Sequence, residues 1–171
     1  MPFKIKPIYI FIIFFVLSVS SILFFYKEQK KFLNSIIVEG NEYIFNTNLY
    51  EVVNVPSDND EKIKDIVDKN NKICIKFDNS SETDNAIFAK VSFNMVFKLT
   101  KYYYTRGELK KFEVCNEAPI IELVGPNTGA EENSLRLVGE KIIIQGRDKK
   151  EIEMAADKLV LIVFDVKLDA K

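Results

Sequence analysis

The stretch Ser134–Phe164, which reads SLRLVGEKIIIQGRDKKEIEMAADKLVLIVF, joins two strand patterns to one helix pattern. Two short apolar runs flank Gly139-Glu140, a two-residue connection typical of a β-hairpin. Asp148 then stands where a helix N-cap is expected, and the residues after it repeat with the period of an amphipathic helix. The stretch therefore predicts a hairpin whose sheet is covered by a C-terminal helix. The apolar stripe of that helix consists of Ile152, Ala155, Ala156, Leu159, Val160 and Val163.

Patterns of the same kinds predict the elements upstream. Apolar runs bounded by turn residues predict strands, and Ser57 followed by acidic residues predicts the start of a helix. In chain order the expected elements are a hairpin over residues 36–45, a strand over 49–55, a helix over 57–69, and strands over 73–77, 109–115 and 119–124.

Residues 85–100 fit two patterns. The odd-numbered positions from Ile87 to Leu99 are all apolar, whereas the even-numbered positions are mostly polar. This alternation favours a half-buried strand, although a helix that begins near Asp84 also fits. We predict a strand that continues through three consecutive tyrosines and pairs with residues 109–115. Tyr102 and Tyr104 would then point outward and form a candidate interaction patch.

An unbroken apolar run lies near the N-terminus. Residues 8–26 read IYIFIIFFVLSVSSILFFY and carry no charged side chain. A helix of about 20 such residues spans the hydrocarbon core of a bilayer. Tyr9 and Tyr26 stand near the two ends of the run, where aromatic rings favour the headgroup level. We predict a transmembrane anchor over residues 1–26. The alternative is a cleaved signal peptide, because Ser18 and Ser20 are spaced like a cleavage site.

These patterns together predict a single-pass membrane protein. The anchor is followed by a charged stalk over residues 27–35 and by one α+β domain over residues 36–171. The domain is expected to be a mostly antiparallel sheet covered by the C-terminal amphipathic helix. The basic tail before the anchor favours a cytoplasmic N-terminus and a domain outside, although lysines are nearly balanced on the two sides.

Composition limits the chemistry. Histidine is absent from the 171 residues, which removes the commonest general base and the commonest zinc ligand. The net charge of −1 disfavours nucleic acid as a partner. Residues 125–130 lack the Lys-Ser/Thr pair of a phosphate loop, and Asp58-x-Asp60 lacks the glycine and glutamate of a calcium loop. We therefore expect no catalytic, cofactor-binding or metal-binding residues and no cofactor.

Two cysteines, Cys74 and Cys115, each lie in a predicted strand. If the domain is outside the cytoplasm, a disulfide between them closes a loop of about 40 residues. The alternative is two free, buried thiols that behave as small apolar side chains. The sequence leaves both possibilities open.

The expected function is non-enzymatic. The domain would bind another protein or serve as a structural component at the outer membrane face, while the N-terminal helix binds the lipid bilayer. The alternative is a membrane-anchored enzyme or accessory subunit that uses acidic residues. That alternative requires carboxylates from distant parts of the chain to converge in a cleft.

Overall fold

The computed structural model describes residues 34–77 and 81–168, together with Ser20. The predicted anchor and the predicted stalk lie outside these residues, apart from Ser20, Asn34 and Ser35. Within the described ranges, the molecule contains no helix of the length and apolar character that crossing a membrane requires.

Seven strands and four helices follow one another in the described chain. The strands are β1 (Ser35–Val38), β2 (Asn41–Ile44), β3 (Lys72–Phe77), β4 (Lys111–Val114), β5 (Ile120–Val124), β6 (Ser134–Val138) and β7 (Lys141–Gln145). The helices are α1 (Leu49–Val52), α2 (Asp60–Lys69), α3 (Glu82–Thr105) and α4 (Lys149–Val163).

Five strands form a central sheet in the order β4-β3-β5-β7-β6. Only the β6–β7 hairpin is antiparallel, and the other three neighbouring pairs are parallel. The predicted mixture of α and β structure is confirmed, but the expectation of a mostly antiparallel sheet is wrong. For the pair β3–β4 the reason is α3, which carries the chain from the end of β3 back to the start of β4 and so makes these two strands parallel.

The prediction of a strand over residues 85–100 is wrong, because α3 occupies this stretch. Ser81 caps the helix by accepting a hydrogen bond from the backbone N–H of Asp84. The fully buried side chains recur at helical spacing rather than at every second position. They include Phe88, Val91, Met95 and Leu99.

The stretch predicted as a strand over residues 49–55 begins with the short helix α1 instead. The side-chain oxygen of Asn48 accepts a hydrogen bond from the N–H of Tyr50, as an N-cap residue does. This one turn places Leu49 and Val52 in the core.

The predicted C-terminal helix is confirmed and lies at the centre of the domain. Asp148 caps α4 by accepting from the N–H of Glu151. The helix packs against α1, α2 and α3 on its sides and against β6 and β7 beneath it. Every residue of its predicted apolar stripe is buried.

The β1–β2 hairpin, also predicted, packs on the helices. The rings of Tyr43 and Phe164 lie 4.6 Å apart, and Lys98 Nζ of α3 lies 4.8 Å from the centre of the Phe45 ring. Lys101 Nζ, one turn further along α3, donates to the carbonyl oxygen of Glu42 at 3.0 Å. The described chain therefore forms three layers: the five-stranded sheet, the helices, and the hairpin.

Candidate interaction surface

One face of the central sheet carries the core, and the other has no helix packed on it in the described chain. Strand residues alternate between the two faces, so the register assigns each one. Side chains such as Ile75, Ile121 and Ile144 are buried beneath the helices. We call the opposite side the open sheet face. Its side chains are Lys72, Cys74 and Lys76 of β3, Lys111 and Glu113 of β4, Ile120, Glu122 and Val124 of β5, Ser134, Arg136 and Val138 of β6, and Lys141, Ile143 and Gln145 of β7.

A row of charges crosses the middle of this face. Glu122 of β5 lies between Lys76 of β3 and Lys141 of β7, with N–O distances of 3.3 Å and 2.9 Å. Burial alone raises the pKa of Glu122, but the hydrogen bonds and charges of the two lysines outweigh it and hold the pKa below its ordinary value. Glu122 is therefore ionised at neutral pH and links three parallel strands.

The strand positions of the open sheet face carry five cations and two anions, although the whole chain has a net charge of −1. Two further carboxylates reach this face from adjoining loops: Glu117 pairs with Lys72 at 3.0 Å, and Glu132 accepts hydrogen bonds from Ser134 and Gln145. The partly exposed apolar side chains Ile120, Val124 and Ile143 lie beside the charged row. A surface of this kind offers both charge and apolar contact area.

The two edges of the sheet differ. At the β6 edge, the segment before α2 pairs with the strand. The N–H of Leu135 donates to the carbonyl of Pro56, and the carbonyl of Leu135 accepts from the N–H of Asp58. The carboxylate of Asp58 also accepts from the N–H of Leu137. This segment covers part of the edge and reduces its capacity to pair with another strand. At the β4 edge, a disulfide joins Cys115 to Cys74 of β3, with the two Cα atoms 5.0 Å apart. The end of the edge strand β4 is therefore tied covalently to its neighbour β3.

Tyr102 and Tyr104 do not form a joint patch. In a helix, residues two positions apart point in nearly opposite directions, unlike the two same-side positions of a strand. Tyr102 is only 4% exposed and its ring packs 4.6 Å from that of Phe164, whereas Tyr104 is 71% exposed. The expectation that both point outward is wrong for Tyr102, and only Tyr104 is available to a partner.

The glycine-containing loop after β5 is held by contacts within the protein. The buried carboxylate of Asp84 accepts hydrogen bonds from the backbone N–H and the side-chain amide of Asn127, at 3.0 Å and 2.7 Å. The N–H groups of Thr128 and Ala130 both donate to the carbonyl of Gly125. These amides bind protein oxygens, so the loop behaves as a structural turn rather than as a phosphate cradle.

Carboxylates from two elements line one small cavity between α2 and the end of α4. The cavity measures about 150 Å³ and has Asp60, Glu61 and Asp165 in its wall. Three lysines line the same cavity and offset these charges: Lys64, Lys158 and Lys167. The hydroxyl of Ser57 also donates a hydrogen bond to the carboxylate of Asp60. Among the described residues, no group of His, Cys, Asp or Glu side chains has an arrangement that could hold a metal ion.

Comparison with known proteins found no matching family model, curated protein or solved structure.

Sequence reasoning missed the open sheet face, although part of its signal was present. Lys76, Glu122 and Lys141 each interrupt or border an apolar run, as expected for strands with one buried and one exposed side. The sequence does not reveal that these three positions are neighbours, because that depends on the parallel order of β3, β5 and β7.

Proposed function

We propose that this chain is a single-pass membrane protein whose domain binds an acidic surface of a partner protein through the open sheet face. The observation that carries the proposal is the lack of helical cover on one side of a largely parallel sheet in the described chain. Sheets with parallel pairing are usually covered on both faces, so an uncovered face is unusual and marks a surface available to another molecule.

The charge of the open sheet face supports an acidic partner. Lys111 and Arg136 extend the basic character from the central row toward the two edges, whereas Lys72 is paired with Glu113 and Glu117. Complementary charge steers association and disfavours partners with a basic surface. Apolar side chains such as Ile143 would supply contact area at the centre of the interface.

The position of the hairpin supports a protein rather than the bilayer as the occupant of this face. The residues after the predicted anchor enter the domain at Ser35, in the hairpin layer. The helix layer separates the hairpin from the sheet, so the open sheet face lies on the side away from this entry point. A domain held by an anchor at Ser35 would therefore present the sheet away from the membrane.

Capture with matched variants tests the proposal. Full-length protein in detergent micelles is immobilised, incubated with membrane and soluble extracts of the source cells, and analysed by quantitative mass spectrometry. The variants are Ile143→Glu and Lys141→Glu on the open sheet face, and the control is Lys62→Glu on the exposed side of α2. We expect the wild type and the control to capture one identified acidic protein. Both sheet variants should capture at least tenfold less of it, and high salt should release it from the wild type.

A set of captured proteins that is the same for wild type, control and sheet variants contradicts the proposed binding face. Circular dichroism of each variant confirms that its fold is intact. If the sheet variants lose binding to liposomes of acidic lipid while the proteins that they capture do not change, the open sheet face binds the membrane. That result also overturns the proposal.

A further inference from the structure

Most of the exposed large apolar side chains lie on the side of the domain opposite the open sheet face. Among the described residues, eight large apolar side chains are exposed, and five of them belong to the β1–β2 hairpin or to α3. We call this surface the hairpin–α3 face. Its five side chains are between 62% and 76% exposed: Ile37, Ile44, Phe93, Phe97 and Tyr104.

The two isoleucines share the outward side of the hairpin. Ile37 is paired with Glu42, and Ile44 with Ser35, in two rows of the antiparallel ladder that are separated by the row of Ile36 and Tyr43. The alternate residues, including Tyr43, point inward and are buried against the helices. Ile37 and Ile44 therefore lie on the side of the hairpin opposite Tyr43, and Ile37 also lines a cavity of about 410 Å³ together with Tyr50 and Leu168.

The aromatic residues of α3 lie next to this hairpin surface. Phe93 and Phe97 are one helical turn apart, and their rings stack with centres 6.4 Å apart. Lys101, one further turn along the helix, contacts the hairpin through the carbonyl of Glu42. Positions four apart share one side of a helix, so Phe93 and Phe97 extend the apolar surface along α3 from the hairpin.

We propose that the hairpin–α3 face rests on the bilayer surface and fixes the orientation of the domain on the membrane. The inference rests on the anchor of the proposed function. Phenylalanine and tyrosine together with an exposed lysine, here Lys90 of α3, suit the membrane interface. Aromatic rings insert at headgroup level, while the ammonium group stays in water.

The length of the connection supports contact with the bilayer. Eight residues, 27–34, separate the predicted anchor from β1. They span at most about 26 Å when fully extended and about 12 Å as a helix. The hairpin is the first element after them, so its outward isoleucines are held close to the headgroups.

Single tryptophan reporters test the inference, because the chain has no native tryptophan. Three variants of the full-length protein are reconstituted in phosphatidylcholine–phosphatidylglycerol liposomes with and without doxyl-labelled lipids. Phe97→Trp reports on the hairpin–α3 face, Ile143→Trp on the open sheet face, and Phe15→Trp on the predicted anchor. We expect the lipid label to quench Phe97→Trp and Phe15→Trp at least twofold and to leave Ile143→Trp unchanged.

The three reporters separate the two proposals. Quenching of Phe15→Trp without quenching of Phe97→Trp overturns the membrane contact and leaves the anchor intact. Absence of quenching at Phe15→Trp overturns the anchor itself. The emission of Phe97→Trp could instead shift with the number of protein molecules per liposome and not respond to the lipid label. That result would show that a second copy of the chain covers this face, and it also overturns the inference.

Discussion

Lys98 of α3 and Asp157 of α4 form an ion pair inside the domain, with Lys98 Nζ 3.0 Å from Asp157 Oδ1 and both side chains only 7% exposed. The hydroxyl of Thr47 donates to the second carboxylate oxygen at 2.7 Å. Burial raises the pKa of Asp157 above its ordinary value, and the lysine charge and the two hydrogen bonds act in the opposite direction. The ion pair joins α3 to α4, and the hydrogen bond from Thr47 joins both helices to the segment that follows the hairpin.

Removing one member of this pair should destabilise the protein strongly. Lys98→Met leaves the Asp157 carboxylate buried without its cation, and we expect a loss of about 3–5 kcal/mol in the free energy of unfolding. The double variant Lys98→Met/Asp157→Asn should recover at least about 1 kcal/mol of this loss, because the amide still accepts from Thr47. Urea denaturation of the full-length protein in micelles measures both. Lys69→Met, at the exposed Lys69–Asp65 pair, is the control and should cost less than about 1 kcal/mol.

Reduction of the disulfide should lower stability. Cys74 and Cys115 are 41 residues apart in sequence, and a loop of this size corresponds to about 3–4 kcal/mol in the chain-entropy model. We expect a reductant to lower the thermal midpoint of the wild type and to leave that of the variant with both cysteines replaced by serine unchanged. Labelling of both cysteines by maleimide in the denatured protein before any reduction would show that they are free thiols.

The charged row of the open sheet face should make the free energy of unfolding depend on pH in the acidic range. Because the folded pKa of Glu122 is lowered, its stabilising contribution is complete above the pKa of an unfolded carboxyl group and disappears as pH falls through the folded value. Glu122→Gln should cost about 0.5–1 kcal/mol at pH 7, and the difference from wild type should shrink between about pH 5 and pH 3. Urea denaturation of both proteins at several pH values measures this difference in the free energy of unfolding. A difference that stays constant over this range would contradict an ionic origin, and Glu131→Gln on the exposed loop is the control.

Gly125 should tolerate no side chain. A Cβ atom at this position would lie 2.6 Å from Asp84 Oδ2 and 3.0 Å from Phe88 Cζ. We expect Gly125→Ala to cost about 1–3 kcal/mol, since the buried carboxylate or the ring must move. Thermal unfolding measures the cost, with Glu131→Ala as a control within about 0.5 kcal/mol. Equal midpoints for the two variants would show that the loop relaxes freely.

The elements with a single clear period were predictable from sequence. The β6–β7 hairpin and α4 carry local signals, namely a two-residue turn, an aspartate cap and one apolar stripe, that all agree. Residues 85–100 carry two periods at once, because Phe93 and Phe97 are apolar yet exposed. Those two residues complete the strand-like alternation and concealed the helical pattern of the buried positions.

The parallel order of the sheet and the open sheet face were not predictable from the sequence. The direction of β4 relative to β3 follows from α3, so the error over residues 85–100 also made the expected pairing of β4 wrong. Pairing between Lys76 and Glu122 depends on the register of strands that are more than 40 residues apart. Single-sequence patterns report which side chains face the core, but they do not report which strands are neighbours.

The hydrogen bond from Thr47 to Asp157 links residues that are 110 positions apart, and it has a consequence for biosynthesis. The hairpin is made early, yet the helix that completes its packing is the last element of the described chain. Contacts of such long sequence separation form late in folding and slow it. The early half of the domain therefore cannot complete its core until α4 has been synthesised.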